Sequence, residues 1–283
     1  MKNIACVIVL YNPNLDYVTM NITRILNTCR VVLIDNSKIV HSVFNTYPQL
    51  TYLPLMKNVG IASALNVGIK EVQKMRGIDY VVLFDQDSYL SSQLILKLYE
   101  TQKKVSGLKS VVAPLPLNRI TNEPYRLTIL GRYKGLLEVR EMLNSGMFIP
   151  LCLFSEVGMM DEYLFIDGVD SEWCWRAMNK GIHLFVNPQI KMEHMLGEGD
   201  KYLLGKRISI PAPVRTYYQF RNYCILLMRS YVPFNWKLIN GIKYTVKFIY
   251  YSLCVSPRIS YLQKMILGIR DGIRYCLRSL FCA

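Results

Sequence analysis

The stretch that decides the fold is Val81-Val82-Leu83-Phe84-Asp85-Gln86-Asp87-Ser88. Four consecutive apolar residues read as a buried strand, and that strand runs directly into two carboxylates one residue apart. Like charges at a strand end repel one another and lose hydration. A divalent cation removes the conflict, because hard cations take carboxylate oxygens and bridge to phosphate. Asp85 and Asp87 therefore form either a metal–diphosphate seat or a polar exit from a strand, and the surrounding sequence has to decide between them.

Upstream, strand and helix signals alternate. Residues 3–11 are a continuous apolar run of the kind buried in parallel sheets, broken by Asn12-Pro13-Asn14. Leu15, Val18, Ile22 and Ile25 then recur at helical spacing. Residues 31–34 predict a second strand, stopped by Asp35-Asn36-Ser37. Residues 52–55 predict a third, weakened by Pro54. Asn58-Val59-Gly60 leads into a helix with Ile61, Leu65, Ile69 and Val72 on one face. This alternation predicts an α/β fold, a Rossmann-like, mostly parallel sheet flanked by helices. Ligands of such sheets sit outside the carboxyl ends of the strands. Here those ends are Tyr11-Asn12, Asp35-Asn36-Ser37, Asn58-Val59-Gly60 and Asp85-Gln86-Asp87, all short and polar. No glycine-rich dinucleotide or P-loop pattern is present, which argues against those sites.

Downstream, a helix is expected over 91–103. The pattern then loosens from Pro114 to Glu141 into a long loop or irregular hairpin, a common form for a substrate-binding segment. A strand is expected over 144–150, where Gly146 marks either a bulge or a close approach. Residues 164–176 pack Asp167, Asp170, Glu172 and two tryptophans into thirteen positions. Asp170 or Ser171 can cap a helix running through Asn179 and ended by Gly181. Trp173 suits either a sugar-stacking surface or the core. His194 follows an apolar run, where a histidine serves as a ligand or as a structural residue.

Taken together, Tyr11-Asn12-Pro13, Asp35-Asn36-Ser37, Asn58-Val59-Gly60-Ile61-Ala62, Asp85-Gln86-Asp87-Ser88, Phe165-Ile166-Asp167 through Glu172-Trp173, and His194 with Gly197 resemble the GT-A glycosyltransferases of family 2. The bacterial rhamnosyltransferase branch is the nearest, and Tyr217-Tyr218-Gln219-Phe220-Arg221-Asn222-Tyr223 is also similar to it. The resemblance implies an inverting, metal-dependent transfer from a nucleotide sugar, typically dTDP-L-rhamnose, to a saccharide acceptor, with galactofuranosyl or another hexosyl transfer as the neighbouring alternative. It places Tyr11, Asn12, Asp35, Asn36, Asn58, Asp85, Gln86 and Asp87 at the donor. It gives Asp85, Asp87 and His194 to Mg2+ or Mn2+ and Asp170 to the catalytic base; around that base, Asp167, Glu172 and Trp173 are the residues expected at the acceptor. Much of the wider family has an acid immediately before the base, where this chain has Val169.

Charge divides the 283-residue chain. Its formal net charge is +14, yet residues 201–283 hold 14 Lys/Arg against the single acid Asp271. Residues 1–200 are nearly neutral and predict the transferase domain, and 201–283 a basic helical extension. The near-neutral first part argues against a basic nucleic-acid-binding protein, and no nucleic-acid partner is expected. In the tail, Leu238, Ile242, Val246, Ile249 and Leu253 form one stripe; Ile259, Leu262, Ile266, Ile269, Ile273 and Leu277 form another, beside Arg270, Arg274 and Arg278. Such stripes with a basic face describe helices lying in a membrane interface or a helical pair packed on the enzyme. The expected setting is the cytoplasmic, anionic face of a membrane, peripherally attached, with a lipid-linked acceptor used in cell-surface polysaccharide assembly. The eight cysteines lack C-x-x-C spacing and suit reduced thiols, and the N-terminal run lacks the features of a signal peptide.

Overall fold

Three parallel strands bring their carboxyl ends to one edge. In the computed structural model, β1 (Ile4–Leu10) pairs on one side with β2 (Arg30–Asp35), Leu10 opposite Asp35. On its other side it pairs with β4 (Tyr80–Asp85), Val9 opposite Asp85. β3 (Leu50–Pro54) extends the parallel set beyond β2. Every residue of β1 is buried, as expected for a strand covered on both faces. The covering helices are α1 (Leu15–Thr23), capped by Asn14, α2 (Ile61–Gln73) and α3 (Ser92–Lys104), capped by Ser91.

The structure describes residues 3–194, 200–203 and 206–281, with side chains over 3–193 and 210–278. His194 is therefore described only as the last backbone position of its strand, and Gly197 lies outside the described residues. Two compact units form: Met1–Phe165 with Val169–Met195, and Ile166–Gly168 with Leu196–Ala283.

The first unit completes its sheet with β5 (Ser110–Asn118), β6 (Ile129–Tyr133), β7 (Leu136–Val139), β8 (Phe148–Pro150) and β9 (His183–His194); α4 (Leu153–Val157) and α5 (Val169–Asn179) are its remaining helices. The nine strands run in the order β3-β2-β1-β4-β8-β5-β9-β7-β6. β5 lies where the sequence suggested no strand, since Pro114 and Pro116 discourage one. The sheet accommodates them because the β5–β9 register shifts between Pro114 and Leu115, a bulge at which proline is tolerated. β6 and β7 form the expected hairpin, turned by Lys134 and Gly135, both at positive φ (49° and 81°), as a tight two-residue hairpin loop requires. The strand expected over 144–150 shrinks to β8. Gly146 marks a close approach to the Pro114 ring, where a Cβ would lie 2.6 Å away.

The second unit holds a backbone hairpin of β10 (Asp200–Leu203) and β11 (Lys206–Ser209) and three helices, α6 (Pro213–Leu227), α7 (Phe234–Cys254) and α8 (Arg258–Phe281). Phe220, Tyr251, Val255, Tyr261 and Met265 form its core. Gly268 and Gly272 let α8 lie against the α6 backbone: a Cβ on Gly268 would meet the Tyr217 carbonyl oxygen at 2.4 Å. The expected stripe of α7 faces outward, with Leu238, Ile242, Val246 and Leu253 all exposed. Among the described residues, no helix is long and apolar enough to cross a membrane. Seven described cysteines are free thiols.

Candidate active site

The loops after β1, β2 and β4 are tied to one another by side chains predicted from sequence. Gln86 accepts the Tyr11 N–H at 2.7 Å and donates to the Tyr11 carbonyl at 3.2 Å. Asn12, at φ 45°, donates its N–H to the Ser37 hydroxyl at 2.8 Å. Asn36 accepts from the Val59 N–H at 3.0 Å and donates to the Gly60 carbonyl at 3.2 Å. Asn58 closes the same turn by accepting the Gly60 N–H at 3.0 Å. Gly60 is required there: its φ is 85°, and a Cβ would sit 2.7 Å from the Phe165 carbonyl oxygen.

Asp35 is fully buried. Its carboxylate accepts from the Ser37 N–H at 2.9 Å and the Tyr52 hydroxyl at 2.7 Å, with His41 Nδ1 at 2.6 Å. Burial opposes its charge, but these hydrogen bonds outweigh it and hold the carboxyl below its ordinary range. Asp35 and Asn36 thus shape the cradle from beneath. Tyr11, Asn12, Asn58 and Asp87 are exposed on it.

Asp85 is the electrostatic centre. Burial, and then the Asp87 and Asp170 carboxylates beside it, push its carboxyl up to about 7. Its backbone N–H reaches the Ser145 hydroxyl at 3.4 Å. The structure therefore brings Asp85, Asp87 and Asp170 together across a separation of 85 residues. Asp170 lies inside the first turn of α5, which starts at Val169, so it is not the helix cap the sequence suggested; it accepts the Ser171 N–H at 2.9 Å. Glu141 joins the group and was missed by the sequence reading. Burial raises its carboxyl against a hydrogen bond with Ser171, and Asp170 adds to the rise. Its only signal was its place at the end of the irregular 114–141 segment.

The expected acceptor residues fare differently. Trp173 is fully buried and donates its indole N–H to the Gly158 carbonyl at 2.9 Å. Glu172 is also fully buried and takes the Arg176 guanidinium at two points, both 2.9 Å. Arg176 in turn donates to the Val157 and Met159 carbonyls at 2.8 Å. Both residues are core elements that bind α5 to the 157–159 turn, which corrects their assignment to the acceptor. The helical period turns positions 172 and 173 inward while Asp170 stays partly exposed. Asp167, in the second unit, carries a two-point ion pair from Arg215, with its closest approach 2.8 Å. Its carboxylate fastens α6 to residues 166–168, and Asn222 adds bonds to the Ile166 and Asp167 carbonyls.

The donor set fits a divalent cation. Two carboxylates crowd at a strand end, where burial and then the neighbouring Asp87 and Asp170 charges push the Asp85 carboxyl up to about 7. Among the described residues, no three His, Cys, Asp or Glu side chains enclose an ion by themselves.

Known proteins match this chain in sequence and in fold. A family model described as Glycosyl transferase family 2 matches residues 5–152. The dTDP-rhamnosyl transferase RfbF of Shigella flexneri is 33% identical over 292 residues, covering 96% of this chain and 96% of that protein. The solved structure of S. aureus TarS 1-349 in complex with UDP-GlcNAc has a TM-score of 0.57 at 15% identity, over 97% of this chain and 81% of that one. GalNAc-T7 with UDP, GalNAc and Mn2+ has a TM-score of 0.56 at 15% identity, over 89% of this chain and 57% of that one. The two structural matches show a shared GT-A fold.

Proposed function

The chain belongs to glycosyl transferase family 2, and on that premise we propose that it moves L-rhamnose from dTDP-L-rhamnose onto a saccharide acceptor, with inversion and with Mg2+ or Mn2+ at the diphosphate. The convergence of Asp85, Asp87 and Asp170 at the carboxyl end of the parallel strands carries the reading of the chemistry. The choice of sugar rests on the similarity to a dTDP-rhamnosyl transferase along nearly the whole chain.

Tyr11, Asn12 and Asn58 line the exposed part of the cradle and hold the nucleotide. Asp35, Asn36 and Gln86 hold those loops in place. Asp85 and Asp87, with His194, would hold the cation, which as a Lewis acid neutralises charge on the departing diphosphate. Asp170 accepts the proton of the attacking hydroxyl on the face of the sugar opposite the leaving group. Attack from that face inverts the anomeric centre. Asp85 and Glu141 are the carboxyl neighbours of Asp170.

The 201–283 region serves as the membrane-associating part. Outward apolar stripes on α7 and α8, edged by Arg270, Arg274 and Arg278, support attachment to an anionic cytoplasmic leaflet where a lipid-linked acceptor for cell-surface polysaccharide resides. The test is a screen of nucleotide sugars for cation-dependent nucleoside diphosphate release with a lipid-linked saccharide present. Release from dTDP-L-rhamnose is expected. Turnover of a galactofuranose donor, or of another hexose donor, in its place would move the enzyme to a neighbouring specificity.

A further inference from the structure

The second unit contains a cavity that the proposed chemistry leaves unused. It measures about 370 Å3, within the range of small-molecule sites. Its walls come from Phe220 and Cys224 of α6, Gly241, Thr245 and Phe248 of α7, and Ile269 of α8. Two tyrosines complete it, their ring centroids 4.9 Å apart. The Tyr223 hydroxyl donates to the Lys237 carbonyl at 3.0 Å, and burial pushes the Tyr244 hydroxyl far above its ordinary range. Walls of this kind are almost wholly apolar and offer a sugar or nucleotide few hydrogen bonds.

The edge of the cavity continues onto the outward face. Ile249 lines it, is 55% exposed, and belongs to the α7 stripe with Val246 and Leu253. On α8, at 3.6 residues per turn, Ile269 lies beside the exposed stripe of Ile266, Ile273 and Leu277. Arg270, Arg274 and Arg278, all exposed, border that stripe on its far side. An apolar slot thus opens onto an apolar surface edged by cations.

Building on the membrane reading above, we propose that this cavity takes one hydrocarbon chain of a phosphate-headed membrane lipid, drawn from the bilayer on which the α7–α8 face lies. The apolar walls select the chain. Arg274 and Arg278, beyond the Arg270–Asp271 ion pair (2.9 Å), select the anionic head. A lipid-borne acceptor is then held by its tail while its saccharide remains free to react.

The test uses the full chain and dodecyl phosphate below its micelle concentration, followed by calorimetry, with inorganic phosphate as the head-only control. Thr245→Trp fills the cavity from an exposed wall position, so the fold should persist, as an unchanged Tm would verify. The expected result is one-to-one binding of dodecyl phosphate by the parent and none of inorganic phosphate. Thr245→Trp should weaken binding by at least about tenfold while still sedimenting with anionic vesicles. Equal binding by parent and variant, or no saturable binding by a parent that does sediment, overturns the cavity assignment and leaves the membrane reading standing. A parent that never sediments overturns both. A parent dimer lost in Thr245→Trp, with dodecyl phosphate binding unchanged, would give the cavity to a second copy of the chain and also overturn the proposal.

Discussion

Gln86 clasps the backbone of Tyr11 at two points, accepting its N–H at 2.7 Å and donating to its carbonyl at 3.2 Å. A side-chain amide thus continues the β1–β4 pairing one step past the end of the strands, where the proposed donor cradle begins. Gln86→Ala removes both bonds at a partly exposed position, so stability should fall by about 1–2 kcal/mol. Donor KM should rise more than kcat falls, because the lost contact positions Tyr11 and Asn12 and touches no reacting atom. Denaturant melts and steady-state kinetics on the same preparation measure both. A change in kcat alone would remove Gln86 from its positioning role.

Asp87→Asn keeps the size of the side chain and removes half of the carboxyl pair at the strand end. Transfer should be abolished, and nucleoside diphosphate affinity should drop only when Mn2+ or Mg2+ is present. Calorimetry with and without the cation reads this directly. Metal dependence identical to the parent would take Asp87 out of the cation site.

Asp170→Asn retains an amide oxygen that can accept the Ser171 N–H, so α5 should form normally. Transfer should fall by roughly 10²–10⁴-fold, the contribution of a positioned general base, with donor binding near normal. Near-full turnover in this variant would reduce Asp170 to a residue of the first helical turn.

Glu172→Ala strips the carboxylate from the Arg176 guanidinium, which is mostly buried and keeps its bonds to the Val157 and Met159 carbonyls. Breaking a buried pair by removing one member costs about 3–5 kcal/mol. The melting temperature should fall sharply, while acceptor KM in the surviving folded fraction stays unchanged. A selective rise in acceptor KM without loss of stability would restore Glu172 to the acceptor site.

Arg270, Arg274 and Arg278 changed together to Glu should release the protein from anionic vesicles, since each cation near such a surface contributes about 1 kcal/mol. Turnover of a soluble acceptor should be little altered. Vesicle sedimentation in low and high salt, with neutral vesicles as control, measures the effect. Persistent binding of the triple variant would transfer the attachment to other residues.

The parallel half of the sheet was legible in the sequence. A strand covered on both faces must be apolar along its length, and it must meet water at its end, so Val7-Ile8-Val9 and Val81-Val82-Leu83-Phe84 announce themselves and Asp35, Asn36, Asp85 and Asp87 mark where they stop. What periodicity does not carry is which partner a face meets. Glu172 and Trp173 sit beside Asp170 in sequence yet turn into the core, because a helix spreads neighbours around its axis and only packing against residues 157–159 decides which way is in. β5 was hidden by its prolines until its pairing with β9 supplied the bulge that accommodates them. Glu141 gained its place beside Asp170 from the course of the chain between β7 and β8 and α5, which no local pattern encodes. The stripe on α7 was plain as a period, but its outward direction came from tertiary packing: α6 and α8 meet the opposite face of that helix and leave the stripe exposed.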